Sequence, residues 1–329
     1  MSASSAPGKI ILFGEHAVVF GRPALAVPVT QVQATATVTA LPADAVTGKQ
    51  GRIEAEPNEP QASIRIEAPD IGLSSTLQSL LSNPVPHPLA SAIKGVFSTL
   101  GIDSPPPMII HISSTIPVAS GLGSGAAVSV AIIRALSAFF GQPLPDREIS
   151  ALAYEVEKLH HGTPSGIDNT VITFATPVYF VKGLPLETLR VGSPFTIIIG
   201  DTGISAPTKE SVGDVRKLWQ AEPARWEKVF DRIGEIVHFA REVIETGDTA
   251  ALGPLMDENH ALLQILTVSS PELDRLVLAA RLSGALGAKL SGGGRGGNMI
   301  ALVRKENASA VAEALISAGA RRTIVTTIA

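Results

Sequence analysis

Four short segments of this chain carry residues that could handle phosphate. The first is Ser120-Gly121-Leu122-Gly123-Ser124-Gly125, which follows the apolar run at residues 108–112 and opens into a long apolar helical pattern. Glycines let a backbone turn tightly and approach a ligand. A helix start leaves N–H groups unpaired and favours negative charge. Together these features make a phosphate cradle, although the spacing is not that of a P-loop, because no Gly-Lys-Ser/Thr follows. Alone, the segment reads better as a loop kept small for packing.

The second segment is Gly8-Lys9-Ile10-Ile11-Leu12-Phe13-Gly14-Glu15-His16, which sets Lys9 and the Glu15-His16 pair at the two ends of an apolar strand. Alone it would be a surface lysine and a solvated pair. The third is Glu157 with His160-His161-Gly162-Thr163-Pro164-Ser165-Gly166-Ile167-Asp168. It puts one carboxylate near a helix end and another after a turn of small residues. A carboxylate on a turn can meet a substrate, and one on a helix can hold Mg²⁺, a hard ion that takes oxygen ligands. The plain alternative is a helix C-terminus followed by a capping aspartate. Adjacent helical residues do not face one ligand, so His160 and His161 are read as dipole partners and not as a metal pair. The fourth is Lys289-Leu290-Ser291-Gly292-Gly293-Gly294-Arg295-Gly296-Gly297. Five glycines in six positions cost too much folding entropy for an ordinary loop, which points to close approach of a ligand.

The elements that must hold these segments follow from periodicity and punctuation. Strands are expected at 24–40, 63–67, 171–174, 178–181, 195–199, 285–290, 298–303 and 322–328. Helices are expected at 88–100, 124–140, 146–161, 208–220, 224–246, 250–267, 271–283 and 308–318. The helix at 124–140 is apolar almost all round and so belongs in the core. That at 146–161 carries the stripe Ile149, Leu152, Ala153, Val156 and Leu159, with Gly162 as its stop. Residues 41–62 read as an exposed loop or ragged hairpin. Strands and helices alternate without the even spacing of a barrel, which favours an α+β fold. Two domains, 1–185 and 186–329, are expected, divided where Gly, Pro and polar residues cluster at 182–194.

The 329 residues are 45% hydrophobic and 17% charged, with a formal charge of -4, which suits a globular chain. No basic run appears, so nucleic acid is not an expected partner. The longest charge-free stretch of the first half is broken by prolines and glycines, so no membrane span is expected. Nor is a secretory signal, and the expected location is cytoplasmic. With no cysteine, disulfides, thiolate metal sites and thiol catalysis are excluded.

The phosphate loop, the Lys9 to His16 segment and the glycine run, in their order and separations, resemble those of the GHMP small-molecule kinases over nearly the whole chain. Glu15-His16 followed by Ala17-Val18-Val19-Phe20-Gly21-Arg22-Pro23-Ala24 is most similar to the members that phosphorylate mevalonate, as is Gly200-Asp201-Thr202-Gly203 with Thr208-Lys209. The resemblance implies the two-domain GHMP kinase fold, with the active site in the cleft between domains. It also implies ATP-dependent phosphorylation of the 5-hydroxyl of mevalonate with Mg²⁺. By family role, Asp168 would orient or deprotonate the hydroxyl, and Lys9 beside it would stabilise charge on the transferring phosphoryl. The ATP phosphates would lie on Pro117, Ala119, Ser120, Gly121, Leu122, Gly123, Ser124, Gly125 and Ala126. The substrate would meet Lys9, Glu15, His16 and Asp168. Ser291, Gly292, Gly293 and Gly294 would close over the phosphates.

Three departures stand out. Family members usually present a serine hydroxyl to Mg²⁺ at the position of Gly125; here Glu157 would hold the metal with Ser124 or a water. Arg295 interrupts the glycine run, where it would contact phosphate or point to solvent. Asn298 stands where many relatives have cysteine and is expected to be silent. Three alternatives stay open: a sugar kinase, a phosphomevalonate kinase, and a non-catalytic nucleotide-binding regulator. A homodimer is also open.

Overall fold

The computed structural model describes residues 1–41, 64–117, 120–161, 164–185, 187–205 and 208–329. In chain order the elements begin with β1 (Ser2–Phe13), a 3₁₀ turn (Ala17–Phe20), β2 (Ala24–Ala40), β3 (Ile64–Ala68), β4 (Leu73–Thr76), α1 (Leu77–Leu81) and α2 (Pro88–Leu100). Next come β5 (Met108–Ser114), α3 (Ser124–Phe139), α4 (Asp146–His161), α5 (Ile167–Phe174), β6 (Val178–Phe180), β7 (Glu187–Thr188) and β8 (Phe195–Asp201). The chain ends with α6 (Thr208–Ala221), α7 (Pro223–Thr246), α8 (Leu252–Ile265), α9 (Pro271–Leu282), β9 (Gly287–Ser291), β10 (Asn298–Val303), α10 (Ala308–Ser317) and β11 (Arg322–Ile328). The class is α+β. The loop expected at 41–62 lies, from residue 42 onward, outside the described residues, and so does Gly162.

Compactness groups the chain into two units. One is Met1–Pro7, Val32–Ile116 and Ser124–Pro164; the other is Gly8–Gln31, Pro117–Gly123 and Ser165–Ala329. In the first, β5 lies antiparallel to the second half of β2 and parallel to β3, which pairs antiparallel with β4. The helices α2, α3 and α4 pack on one another. α3 is buried nearly all round, with Val130, Ile132, Ile133 and Leu136 inaccessible, as its composition requires. On α4 the buried stripe is Ile149, Ala153 and Val156. Leu159, expected on that stripe, is 44% exposed, and Glu157 is buried instead. The stripe is centred on Ala153 and Val156, and a residue three places beyond Val156 falls past its edge.

In the second unit the start of β2 pairs antiparallel with β6, and β6 with β7. A four-stranded antiparallel sheet runs β11-β8-β10-β9. Its core joins Ile198, Leu290, Met299 and Ala301 of the strands to Phe230 and Ile233 of α7, Leu263 of α8 and Leu276 of α9.

Residues 171–174, expected as a strand, form the second half of α5. Thr170-Val171-Ile172-Thr173 is rich in β-branched residues, which favour strands. Packing decides otherwise. Ile167 and Val171, one helical turn apart, bury together against Ile11, Val18, Ala24 and Val178. Gly166 at φ 93° and Ala175 at φ 50° bound the helix.

Candidate active site

Lys9 lies on β1 and is only 5% exposed. Its Nζ is 3.2 Å from Asp168 Oδ1, which is partly exposed. Asp168 is in the first turn of α5, where unpaired N–H groups and the helix dipole favour a carboxylate. The backbone of Lys9 donates to the carbonyl of Leu122 at 3.0 Å, so one residue joins the phosphate loop to the carboxylate. Gly123 makes this approach possible. Its φ is 75°, and an added Cβ would lie 2.7 Å from Ile172 Cδ1 and 3.1 Å from Lys9 Cγ. The loop is braced by Ser120 Oγ, which donates to Pro117 O at 2.9 Å. It is also braced by Asn298 Nδ2, which donates to Ser120 O. Asn298, expected to be silent, thus ties β10 to the phosphate loop. Ala119 lies outside the described residues.

Glu15 and His16 are both buried, and their hydrogen bonds run to the fourth segment. Glu15 pairs with Lys289, whose side chain is wholly inaccessible. Burial pushes the Glu15 carboxyl up, opposed by the Lys289 charge and the Gly292 N–H. Burial likewise pushes Lys289 down, opposed by Glu15. His16 Nε2 donates to Gly293 O at 3.1 Å. Burial pushes the His16 imidazole down to about 4, against the Gly293 bond and with help from the Arg295 and Lys289 charges, so it is neutral at neutral pH. Its Nδ1 is buried and has no hydrogen-bond partner among the described residues. Lys289 had no assigned role in the sequence; the available signal was one lysine alone in an otherwise apolar strand.

Ser291 Oγ donates to Ile11 O at 2.7 Å and is 3% exposed. Part of the glycine demand in this loop is structural. Gly294 has φ 74°, and an added Cβ would lie 1.9 Å from the carbonyl oxygen of Val268. Arg295 neither meets solvent alone nor lacks a counter-ion, because its Nη1 pairs with Asp214 Oδ2 on α6 at 2.6 Å.

Ser124, Gly125 and Ala126 begin α3. Glu157 on α4 is 4% exposed. A Cβ built on Gly125 would lie 3.5 Å from Glu157 Oε1, an ordinary contact, so a side chain at 125 would sit against that carboxylate. The donors present are hard oxygens and suit Mg²⁺. Among the described residues no group of three or more His, Cys, Asp or Glu residues is placed to hold a metal ion. No helix among the described residues is long and apolar enough to cross a membrane.

The chain is similar to known proteins over nearly its whole length. The family model "GHMP kinases N terminal domain" matches residues 88–176, and "GHMP kinases C terminal" matches 240–321. The mevalonate kinase of Thermococcus sibiricus is 38% identical over 96% of this chain and 93% of its own length. That of Pyrococcus furiosus is 36% identical over 94% and 92%. The crystal structure of L. major mevalonate kinase in complex with R-mevalonate superposes with a TM-score of 0.79 at 28% identity, covering 100% of this chain and 96% of that one. The chain belongs to the GHMP kinase family, in its mevalonate kinase branch.

Proposed function

We propose that this protein transfers the γ-phosphoryl group of ATP to the 5-hydroxyl of (R)-mevalonate, giving 5-phosphomevalonate and ADP, a step of isoprenoid synthesis in the cytoplasm. The observation that carries the reading is the Lys9–Asp168 pair at 3.2 Å, with Lys9 bonded through its backbone to the phosphate loop. Asp168 accepts the hydroxyl proton as the oxygen bonds to the γ-phosphorus, and the bond to the β-phosphate oxygen breaks. Lys9 neutralises charge on the group in transit. Phosphoryl transfer asks little more of a protein than such positioning and charge neutralisation.

The Gly121 to Ala126 backbone holds the ATP phosphates through its N–H groups, and Ser291, Gly292, Gly293 and Gly294 close over them. Glu15 and His16 line the mevalonate side, and the unpartnered His16 Nδ1 supports this as an acceptor for a substrate hydroxyl. Glu157, with Ser124, would hold Mg²⁺, which when bound neutralises phosphate charge. The linear division 1–185 and 186–329 is proposed as the boundary between the N-terminal and C-terminal family domains. It follows chain order, whereas the compact units interleave.

The test is ADP release with mevalonate, phosphomevalonate, galactose and homoserine as acceptors. Turnover with mevalonate alone supports the reading. Turnover with galactose or phosphomevalonate instead would assign another GHMP activity. ATP binding without turnover on any of them would make the protein a regulator.

A further inference from the structure

Arg295 breaks a run of glycines, yet it adopts the backbone a glycine would. Its φ is 59°, in the left-handed region that arginine seldom visits. Three contacts hold it there. Its N–H donates to Val268 O at 2.7 Å, and its Nε reaches Thr267 O at 3.4 Å. Its Nη1 pairs with Asp214 Oδ2 at 2.6 Å. Asp214 Oδ1 also accepts from Lys217 at 2.9 Å, and these charges hold the Asp214 carboxyl below its usual range. Gly294, immediately before, is seated on the Val268 carbonyl. Residues 294–295 are thus fastened both to the segment after α8 and to α6.

The fastening leaves other groups of the loop available. Gly297 N–H donates to Ile204 O. Among the described residues no acceptor is shown for the N–H of Gly293, Gly294 or Gly296. Successive N–H groups in such left-handed turns form a concavity that suits an anion. A loop of glycines free to move would lose much conformational entropy on closing over phosphate.

We propose that Arg295 is a positioning residue whose ion pair with Asp214 pins the glycine run at 292–297 to α6, so that the loop's N–H groups are set in advance for the ATP phosphates. The proposal rests on the kinase reading of this loop. Arg295 acts through the loop and not by touching phosphate, so its loss is felt in ATP affinity more than in the chemical step.

The test compares wild type, Arg295→Gly, Asp214→Asn and the double variant. ATP-analogue binding is measured by calorimetry, and KM for ATP and kcat by steady-state kinetics. Both single variants should weaken ATP binding roughly two- to fivefold, the worth of one half-exposed ion pair. The double variant should be no worse than either single one, and kcat at saturating ATP should hold within about twofold. Arg295→Lys, which keeps the charge, should retain most of the affinity and guards against a folding defect in the glycine variant. The opposite pattern would overturn the pin. If Arg295→Gly weakens ATP while Asp214→Asn tightens it or leaves it unchanged, the arginine meets phosphate directly. Unaltered affinity in both variants would also overturn it. Calorimetry needs no acceptor, so a wild type that binds ATP yet leaves mevalonate untouched would sink the activity while leaving this comparison valid. A wild type that binds no ATP would sink both.

Discussion

Lys9 Nζ stands 3.2 Å from Asp168 Oδ1, and the backbone N–H of the same lysine is bonded to Leu122 of the phosphate loop. A strand residue that is 5% exposed therefore couples the proposed proton acceptor to the loop proposed to receive ATP. A lysine held this way has little rotamer freedom left, so under the proposed mechanism its charge would be in place before the phosphoryl group moves.

Asp168→Asn should abolish turnover while ATP binding stays near normal. The amide can neither accept the proton nor balance the Lys9 charge. The expected loss in kcat is about 100- to 10,000-fold. Steady-state kinetics with calorimetric ATP binding would check it, and activity within a few-fold of wild type would remove Asp168 from the chemistry.

Lys9→Met keeps the length of the side chain and removes its charge. It should lower kcat strongly and change KM for ATP less, because the charge matters most in the transition state. A rise in KM with unaltered kcat would make Lys9 a binding residue only.

Gly125→Ser should fold, since the new Cβ makes only ordinary contact with Glu157 Oε1 at 3.5 Å and Gly125 lies in the first turn of α3. Its hydroxyl would add a hard oxygen beside Glu157 and should lower the Mg²⁺ concentration for half activity. Glu157→Gln should raise that concentration. If Ser124 already supplies the hydroxyl, Ser124→Ala should be damaging and Gly125→Ser should change little. Mg²⁺ titrations of the three variants decide; curves that all overlay wild type would exclude these positions from the metal.

Two buried histidines should make the fold sensitive to mild acid. Burial pushes both His16 and His260 down to about 4, from the ordinary 6.5. Each folded pKa lies below its unfolded value, so the contribution is complete above 6.5 and is lost as pH falls towards about 4. For His16 the loss is at most about 3 kcal/mol. His16→Asn keeps a polar side chain and removes the titrating ring, which makes it the control. Urea unfolding at about pH 7 and about pH 4.5 should show a smaller drop for the variant than for wild type. Parallel behaviour would show that His16 is not held neutral by the fold.

Much of this architecture was legible in the residues. Gly101, at φ 66°, ends α2 where a glycine after an apolar period should. The all-apolar pattern of α3 announced its burial. What could not be read was anything set by partners distant in sequence. Val171 and Ile172 have strand propensity, and only the packing of Ile167 and Val171 on Ile11 makes them helical. Lys289 became meaningful only once Glu15, 274 positions earlier, was found beside it. Arg295 offered two destinations in the sequence, and the structure gives it a third, Asp214. The glycine-rich and carboxylate-bearing segments were legible because their chemistry is local, whereas their bracing by Asn298 and Lys289 is not.

The most direct measurement is product identification by ³¹P NMR after incubating the purified protein with ATP, Mg²⁺ and (R)-mevalonate. One phosphomonoester on the 5-oxygen should appear for each ADP formed, and the signal should vanish in Asp168→Asn. ADP formed with inorganic phosphate and no phosphomonoester, or an Asp168→Asn protein that still makes the ester at the wild-type rate, would contradict the account.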